Sequence, residues 1–585
     1  MVSKKAKFEQ AELALKKYFG YESFHPTQTK AIKSILAKKD TLVLMPTGGG
    51  KSICYQIPAL ILKGVTIVVS PLISLMKDQV DGLKATDITA EFLNSSLSLK
   101  KQSEITERLL KNEIKILYVS AERLVSPQFI QILKKLKPNL FAVDEAHCIS
   151  AWGHDFRPDY TKLSQLKTMF PKVPIIALTA TADRNTRADI MSQLELNNPK
   201  QLIDSFDRPN ISLTVLPGKK RIEKIKDFLS DKSTQSGIVY CLTRKQTESL
   251  AKKLTQAGLN ATSYHAGLSS ADRSRIQKSF IRDKTQIICA TIAFGMGIDK
   301  LNVRWIIHYN IPKNIEGYYQ EIGRSGRDSA PAQALLFYTY ADVEMIKKFF
   351  INKSQEGVQL EKLNRIKEYA EGVICRRQIL LSYFDEEYVD KCNNCDVCAN
   401  PFKTLNGTAI TRKVLKTIGE LQPEATTKNL VSILSRISNK VSFASWHFYI
   451  AQLKNLGIIK INFDSNQSLS ITKKGKAVLD KNKKVRLVLL ETFIKRQEKA
   501  NKTSKSSAKK KRDYFENPLF QKLREVRLKL AKKNSLAAYM IFSDSTLLEM
   551  ANQKPKNKFE MLQVSGVGEI KWQRYGETFL EAIAE

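Results

Sequence analysis

The chain has 585 residues, 43% hydrophobic and 26% charged, a globular composition with material for about four domains. Lysine and arginine number 95 against 58 acidic residues, a net charge of +37 that calls for a polyanionic partner, either nucleic acid or an anionic membrane surface. The longest apolar runs, such as 57–62 and 65–69, fall far short of the ~20 residues that span a bilayer, which weakens the membrane option. The first 20 residues form a charged amphipathic helix pattern with no apolar secretory core, and eight cysteines make no disulfide framework. The expected setting is cytoplasmic and nucleic-acid-facing.

Short β-branched runs alternate with helical segments through the first 340 or so residues, as parallel α/β folding requires. Strands are predicted at 41–45, 66–70, 115–119, 140–143 and 175–179. A second series is predicted at 237–241, 261–264, 286–290, 304–309 and 334–338. The turn-rich stretch 205–211 (SFDRPNI) separates them, so the reading is two doubly wound lobes, 1–207 and 208–343. A helical module with a cysteine cluster follows at 344–402. Next comes a unit at 403–482, helices closed by a hairpin pattern at 458–472, which suggests a winged helix. Twelve basic against four acidic residues make 403–480 basic in its own right. Residues 483–512, with the run NKTSKSSAKKKR, are expected to form a basic flexible linker. The last segment, 513–585, returns to helical periodicity with 11 basic and 10 acidic residues, too balanced to hold nucleic acid by bulk charge.

After the first predicted strand comes Pro46-Thr47-Gly48-Gly49-Gly50-Lys51-Ser52, opening a helix. Glycines let the backbone wrap phosphates, Lys51 would reach the β- and γ-phosphates, and Ser52 would hold Mg²⁺. The pattern departs from the strict phosphate-loop rule at its first position, where Met45 stands in place of glycine. Asp144-Glu145-Ala146-His147 directly follows the apolar strand at 140–143. Asp144 there suits the magnesium, and Glu145 suits orientation and deprotonation of the attacking water. Arg324 and Arg327, in the turn Gly-Arg-Ser-Gly-Arg, would meet the charge of the transition state. Cys375, Cys392, Cys395 and Cys398 are spaced C-x16-C-x2-C-x2-C, which suits tetrahedral zinc in a closed structural site. Cys54, Cys148, Cys241 and Cys289 are isolated and read as packing residues. Trp446 and His447 fall in a candidate recognition helix at 442–454, where the tryptophan serves either the core or a surface.

Taken in order, these residues resemble superfamily 2 helicases, and specifically the RecQ family of DNA helicases. The discriminating stretch is 147–160 (HCISAWGHDFRPDY), similar to the aromatic-rich loop that couples single-strand binding to ATP hydrolysis in that family. Trp152 and Phe156 offer stacking faces beside Arg157, and each stacked base is worth ~1–3 kcal/mol. The segment 19–28 is similar to the family's adenine-recognition segment, which implies Tyr21 and Gln28 on ATP, although His25 stands where the family usually has arginine. Ser74 and Gln79 lie in a stretch resembling a DNA-contacting motif. His147, Thr181 and Gln320 occupy positions that the resemblance implies in coupling hydrolysis to lobe movement.

The resemblance implies a multidomain α/β fold: two RecA-like parallel α/β lobes, a helical zinc-binding module, a winged helix (RQC) and a small C-terminal helical HRDC bundle at 513–585. It implies ATP as substrate, Mg²⁺ and Zn²⁺ as cofactors, and 3′-to-5′ movement on single-stranded DNA with unwinding of duplex DNA in recombination and repair. Single-strand-binding protein and other repair proteins are the implied protein partners of a nucleoid-associated monomer.

Overall fold

The computed structural model describes residues 4–94, 97–150, 157–294, 300–351, 356–388, 391–437, 441–462, 467–480, 483–502, 517–534 and 536–584. Two all-parallel sheets dominate it. The first contains β1 (Thr41–Leu44), β2 (Val65–Val69), β3 (Ala90–Leu93), β4 (Ile116–Val119), β5 (Pro138–Val143), β6 (Ile175–Thr179) and β7 (Lys200–Ile203). Their spatial order is β3-β4-β2-β5-β6-β1-β7. The second contains β8 (Ile211–Pro217), β9 (Ser236–Tyr240), β10 (Ala261–Tyr264), β11 (Ile287–Ala290), β12 (Val303–His308) and β13 (Ala332–Tyr338), in the order β10-β11-β9-β12-β13-β8.

The strands read as unbroken apolar runs because helices cover both faces of each sheet. In the first lobe Val43, Val68, Leu140 and Leu178 enter one core, while Leu42, Ile67, Phe141 and Ala177 enter the other. That second core does not stop at the lobe. It continues through Phe206, Ile211 and Tyr319 into Leu363, Ile366, Tyr369 and Ile379 of the cysteine-bearing module, so connector and module share one apolar mass with the lobes.

β3, β7 and β8 are additions to the predicted strands. β3 and β7 lie at the two edges of their sheet, and their four-residue mixed sequences, the buried AEFL and the largely exposed KQLI, carry little periodic signal. β8 begins inside the stretch read as a simple separator, and pairs in parallel with β13 from Ile211 to Pro217.

The next unit contains helices Thr408–Glu420, Thr427–Ile437 and Phe443–Asn455, an antiparallel pair Ile459–Asn462 with Ser468–Ile471, and helix Lys473–Asp480. Three helices followed by a hairpin form a winged helix, and the tip of its wing lies outside the described residues. Trp446 belongs to its core, only 1% exposed and edge-on to Tyr449. The helix read as recognition helix is partly spoken for. Lys454, at its C-terminal end, pairs with Glu368 and Asn455 donates to the Glu368 carbonyl, leaving Phe443 and His447 on the exposed side.

The expectation of a flexible linker over 483–512 needs correcting for its first part. Arg486–Leu487 pairs antiparallel with Leu405–Asn406, and Leu490–Lys502 is a helix. Phe493 packs against Phe402 and Phe448, and Arg496 donates to the Asn400 carbonyl at 2.6 Å while lying over the Phe402 ring. The lysine-rich composition concealed an amphipathic helix whose one aromatic finds a pocket. Residues 503–516 lie outside the described set. The C-terminal bundle packs helices Pro518–Lys533, Asp544–Gln553 and Glu577–Ala584 around Leu523, Leu547, Met550 and Phe579. Among the described residues, no helix is long and apolar enough to cross a membrane.

Candidate active site

The chemistry collects at the carboxyl ends of the strands, where open parallel sheets place ligands. β1 runs straight into the glycine-rich loop. Gly48 and Gly50 hold φ of +83° and +75°, a left-handed backbone that side chains resist. Space is equally restrictive, since a Cβ on Gly48 would stand 3.0 Å from the Cα of Arg327, and one on Gly50 would stand 2.5 Å from Nε2 of Gln28. Met45, the departure from the phosphate-loop rule, is buried at the strand end against Cys54, where its side chain contributes to the core.

Lys51 donates to the Met45 carbonyl at 3.3 Å. Burial pulls its pKa down, Glu145 and Asp144 pull it back up, and Arg327 and Arg208 push it down again. Polyphosphate is the natural counter-charge for such a cluster.

Asp144 ends β5, its N–H bonded to the Val69 carbonyl at 2.9 Å. Glu145 sits in the left-handed region, φ +47°, with its N–H on Asp144 Oδ1 at 2.9 Å. Glu145 Oε2 lies 3.3 Å from Nδ1 of the fully buried His147, and the same nitrogen lies 2.9 Å from Thr179 Oγ1. Thr179 Oγ1 in turn accepts the Thr181 N–H at 3.2 Å. A continuous polar path therefore joins the acidic strand end to the segment at 178–182.

The second lobe supplies the other wall. Gln320 is buried on helix Ile315–Ile322, which runs directly into the turn bearing Arg324 and Arg327. Arg327 abuts the phosphate loop, whereas Arg324 is buried beside Tyr240 of its own lobe.

Gln28 caps the helix Pro26–Leu36, its carbonyl oxygen accepting the His25 N–H at 2.9 Å. Its amide donates to the carbonyls of Gly49 and Gly50, both at 3.2 Å, so it braces the loop itself. His25 lies 3.4 Å from Asp204. Tyr21 stays half exposed next to Gly20, and Thr47, Gly49 and Ser52 complete the loop.

Of the residues assigned to DNA, Trp152 and Phe156 lie outside the described residues. Arg157 donates to the Pro71 carbonyl at 2.6 Å, bringing the end of the aromatic loop against the segment that leads to Ser74. Ser74 stands in the first turn of helix Ile73–Ala85. Gln79, on the same helix, turns its carbonyl oxygen to Gln56 and Tyr118.

The four cysteines converge with all sulfurs within 4.8 Å of one another. The Asn394 N–H points at Cys392 Sγ and the Cys398 N–H at Cys395 Sγ, each at 3.4 Å, the donors that thiolate ligands need. A soft tetrathiolate set of this size fits zinc. The other four cysteines are buried, with Cys241 and Cys289 in one core of the second lobe.

Two features escaped sequence reading. Arg208, in the connector, reaches the backbone of both the phosphate loop and the arginine turn. The C-terminal bundle also folds back onto both lobes. Gly20 meets Gly568 so closely that a Cβ on it would stand 2.5 Å from the Gly568 nitrogen, and Arg574 grips Asp87. Asp544 comes within 3.6 Å of Arg304 in the second lobe. No sequence signal pointed to Arg208, because all four of its partners are backbone carbonyls.

Comparison with known proteins agrees segment by segment. Residues 25–189 match the DEAD/DEAH box helicase family, 220–329 the helicase conserved C-terminal domain, 340–399 the RecQ zinc-binding family and 516–583 the HRDC domain. Two facing lobes with a phosphate loop, an acidic strand end and an arginine turn are thus those of a DEAD/DEAH-type helicase core. The ATP-dependent DNA helicase RecQ of Haemophilus influenzae is 42% identical across 98% of this chain and 95% of its own length. That of Bacillus subtilis is 36% identical across 98% of both. The chain belongs to the RecQ family of ATP-dependent DNA helicases.

Proposed function

We propose that this chain hydrolyses ATP with Mg²⁺ in the cleft between its lobes and uses the cycle to move 3′-to-5′ on single-stranded DNA and open duplex DNA. The observation that carries the reading is the meeting of three segments distant in sequence: the loop at Gly48, the carboxylates Asp144 and Glu145, and Arg327 from the opposite lobe.

Ser52 and Asp144 would hold Mg²⁺, whose charge neutralises the β- and γ-phosphate oxygens. The backbone of Thr47, Gly48, Gly49 and Gly50 and the ammonium of Lys51 cradle the phosphates. Gln28 and Tyr21 take the adenine end, and because Gln28 is already bonded to the loop, occupancy by the base is felt at the phosphates. Glu145 accepts the proton of the attacking water. Arg327 and Arg324 stabilise charge on the transferring group, a contribution worth ~10³–10⁵ in rate for arginines in this role. Once the γ-phosphate has left, Glu145 shifts relative to His147, and the path through Thr179 to Thr181 carries the change toward the lobe boundary, with Gln320 answering from the other side.

DNA lies along Ser74, Gln79 and Arg157, with Trp152 and Phe156 stacking on bases. The basic winged helix meets the duplex backbone. Single-strand-binding protein and other repair proteins are the proposed partners, and the nucleoid the proposed place of action.

The test is ATP hydrolysis with no nucleic acid, with single-stranded DNA and with single-stranded RNA of equal length. DNA alone should stimulate strongly, and equal stimulation by RNA would refute the substrate assignment. Glu145→Gln should bind ATP and fail to hydrolyse it. Turnover at the wild-type rate would remove Glu145 from its role.

A further inference from the structure

The connector between the lobes holds a side chain whose bonds join the backbone of one lobe to that of the other. Arg208 extends into the seam between the phosphate loop and the arginine turn. Its Nη1 donates to the carbonyl of Thr47 in the first lobe and to that of Gly323 in the second, the latter at 3.3 Å. Its Nη2 donates to the carbonyls of Ser325 at 3.1 Å and Gly326 at 2.7 Å. Asn210, two residues on, adds bonds to the carbonyls of Gly326 and Ala330, each at 2.9 Å. The connector thus grips the backbone of the turn that carries Arg324 and Arg327.

The connector is itself held from behind. Arg377, next to the zinc site, donates to Asp207 Oδ1 at 2.7 Å, to the Arg208 carbonyl at 2.8 Å and to the Ile211 carbonyl at 2.7 Å. Phe206 stacks flat on Phe384, with ring centres 4.5 Å apart and planes 8° apart, and its N–H donates to Glu386 at 2.7 Å. The chain of contacts therefore runs from the zinc-side helix Arg376–Tyr383, through residues 206–210, to the arginine turn and across to Thr47.

We infer that Arg208 is a positioning residue for ATP hydrolysis, setting the arginine turn against the phosphate loop, and that Arg377 holds it in register. Its guanidinium fork is spent on backbone carbonyls, so it acts through Arg327 rather than on phosphate. Three of its four acceptors move with the second lobe, while Thr47 belongs to the first. The Thr47 bond accordingly exists only when the lobes are apposed, and the residue favours the arrangement in which hydrolysis occurs. The inference rests on the reading of Arg327 as the arginine that meets the transition state.

The experiment is steady-state, DNA-stimulated ATP hydrolysis by the full chain carrying Arg208→Ala, Arg208→Lys, Arg327→Ala and the Arg208→Ala/Arg327→Ala pair. A misplacement of about 1 Å can cost ~10²-fold in rate, so Arg208→Ala should lower kcat by roughly ten- to a hundredfold. KM for ATP should stay within about twofold, a split that loss of uniform binding would not give. Lysine should rescue little, because one ammonium cannot span four carbonyls laid out for a planar fork. The double variant should be no slower than Arg327→Ala alone, since the two residues would act as one unit.

Rescue by lysine, or multiplicative losses in the double variant, would overturn the positioning role. If Arg327→Ala turned over normally, the reading of the arginine turn would fall. If Arg327→Ala were slow and Arg208→Ala normal, only the present inference would. Should Arg208→Ala lose its cooperative melting transition, Arg208→Lys, which keeps the charge and the stem, and Arg377→Lys carry the same kcat-against-KM test.

Discussion

The motor cleft is flanked by two attachments built on different physics. On the connector side, Arg208, Asn210 and Arg377 bond mainly to backbone carbonyls, and Phe206 stacks in an apolar mass continuous with both lobes. On the side of the C-terminal bundle, ion pairs stand beside the backbone contact of Gly20 with Gly568 and the packing of Ala330 into the bundle's apolar core. Arg304, Asp328, Asp544 and Arg527 form one buried cluster, and Arg574 with Asp87 forms an exposed pair. Carbonyl bonds fix geometry and respond little to salt, whereas ion pairs at a surface weaken as ionic strength rises. The first attachment is suited to holding a catalytic register, whereas the second joins a buried anchor at Asp544 to an exposed rim at Arg574 that salt can loosen.

The largest expected effect lies behind the connector. Leu213 of β8 pairs with Cys395 and donates to the Asn394 carbonyl, so the metal site and the second sheet are stitched together. Structural zinc contributes ~10–16 kcal/mol of apparent binding free energy. Cys395→Ser should lose zinc stoichiometry, measured by metal analysis, and lower the melting temperature of the core before any chemical defect can be isolated. Full zinc content with an unchanged melt would show that the connector side does not depend on the metal site for its rigidity.

Arg377→Ala comes next. It strips Asp207 of its partner and leaves two carbonyls unbonded. Removing one member of a buried pair costs about 3–5 kcal/mol, and denaturant unfolding should register a loss near the lower end, because Asp207 is 23% exposed. Asp544→Ala should have a similar but slightly smaller effect, about 3 kcal/mol, since it leaves Arg527 without its carboxylate in a fully buried position and weakens Arg304, which keeps Asp328. This loss should divide between unfolding of the bundle and its release from the second lobe. Hydrogen exchange over 517–584 would separate the two, and unchanged exchange throughout would deny Asp544 either role.

How much of this was visible beforehand depends on what each residue bonds to. The lobes, the phosphate loop, Asp144, Glu145 and the four cysteines were legible because their chemistry is carried by side chains at fixed spacing. Edge strands β3 and β7 were not, since each is only four residues of mixed sequence and carries a weak pattern. The helix Leu490–Lys502 hid in lysine-rich composition, because only the fold supplies the pocket for Phe493. Trp446 suited a core or a surface equally well until the packing of the winged helix placed it inside. Arg208 was hidden for a further reason. Its partners are main-chain carbonyls 161 and 115–118 positions away, and a carbonyl has no sequence signature.

The contact between Gly20 and Gly568 should give an effect of intermediate size. Gly20 has φ of +74° and no room for a Cβ against the Gly568 backbone. Gly20→Ala should therefore cost about 1–2 kcal/mol in backbone strain and also push the bundle away from the first lobe. Faster exchange at 564–572 with an intact core would report that displacement.

The smallest effect is expected at Arg574. Its guanidinium bonds both oxygens of Asp87, at 2.9 and 2.8 Å, and the Ala85 carbonyl at 2.5 Å. Yet the two side chains are 38% and 61% exposed, so water and salt compete for every one of these bonds. Exposed pairs contribute about 0.2–1 kcal/mol. Arg574→Ala should leave the melting temperature nearly unchanged, and what it removes should already be absent from the wild type at high salt. Asp544→Ala, by contrast, should behave alike at low and high salt, because its charges are shielded from solvent. If Arg574→Ala released the bundle as fully as Asp544→Ala, the exposed pair would be the latch, and the division between a buried anchor and a yielding rim would have to be reversed.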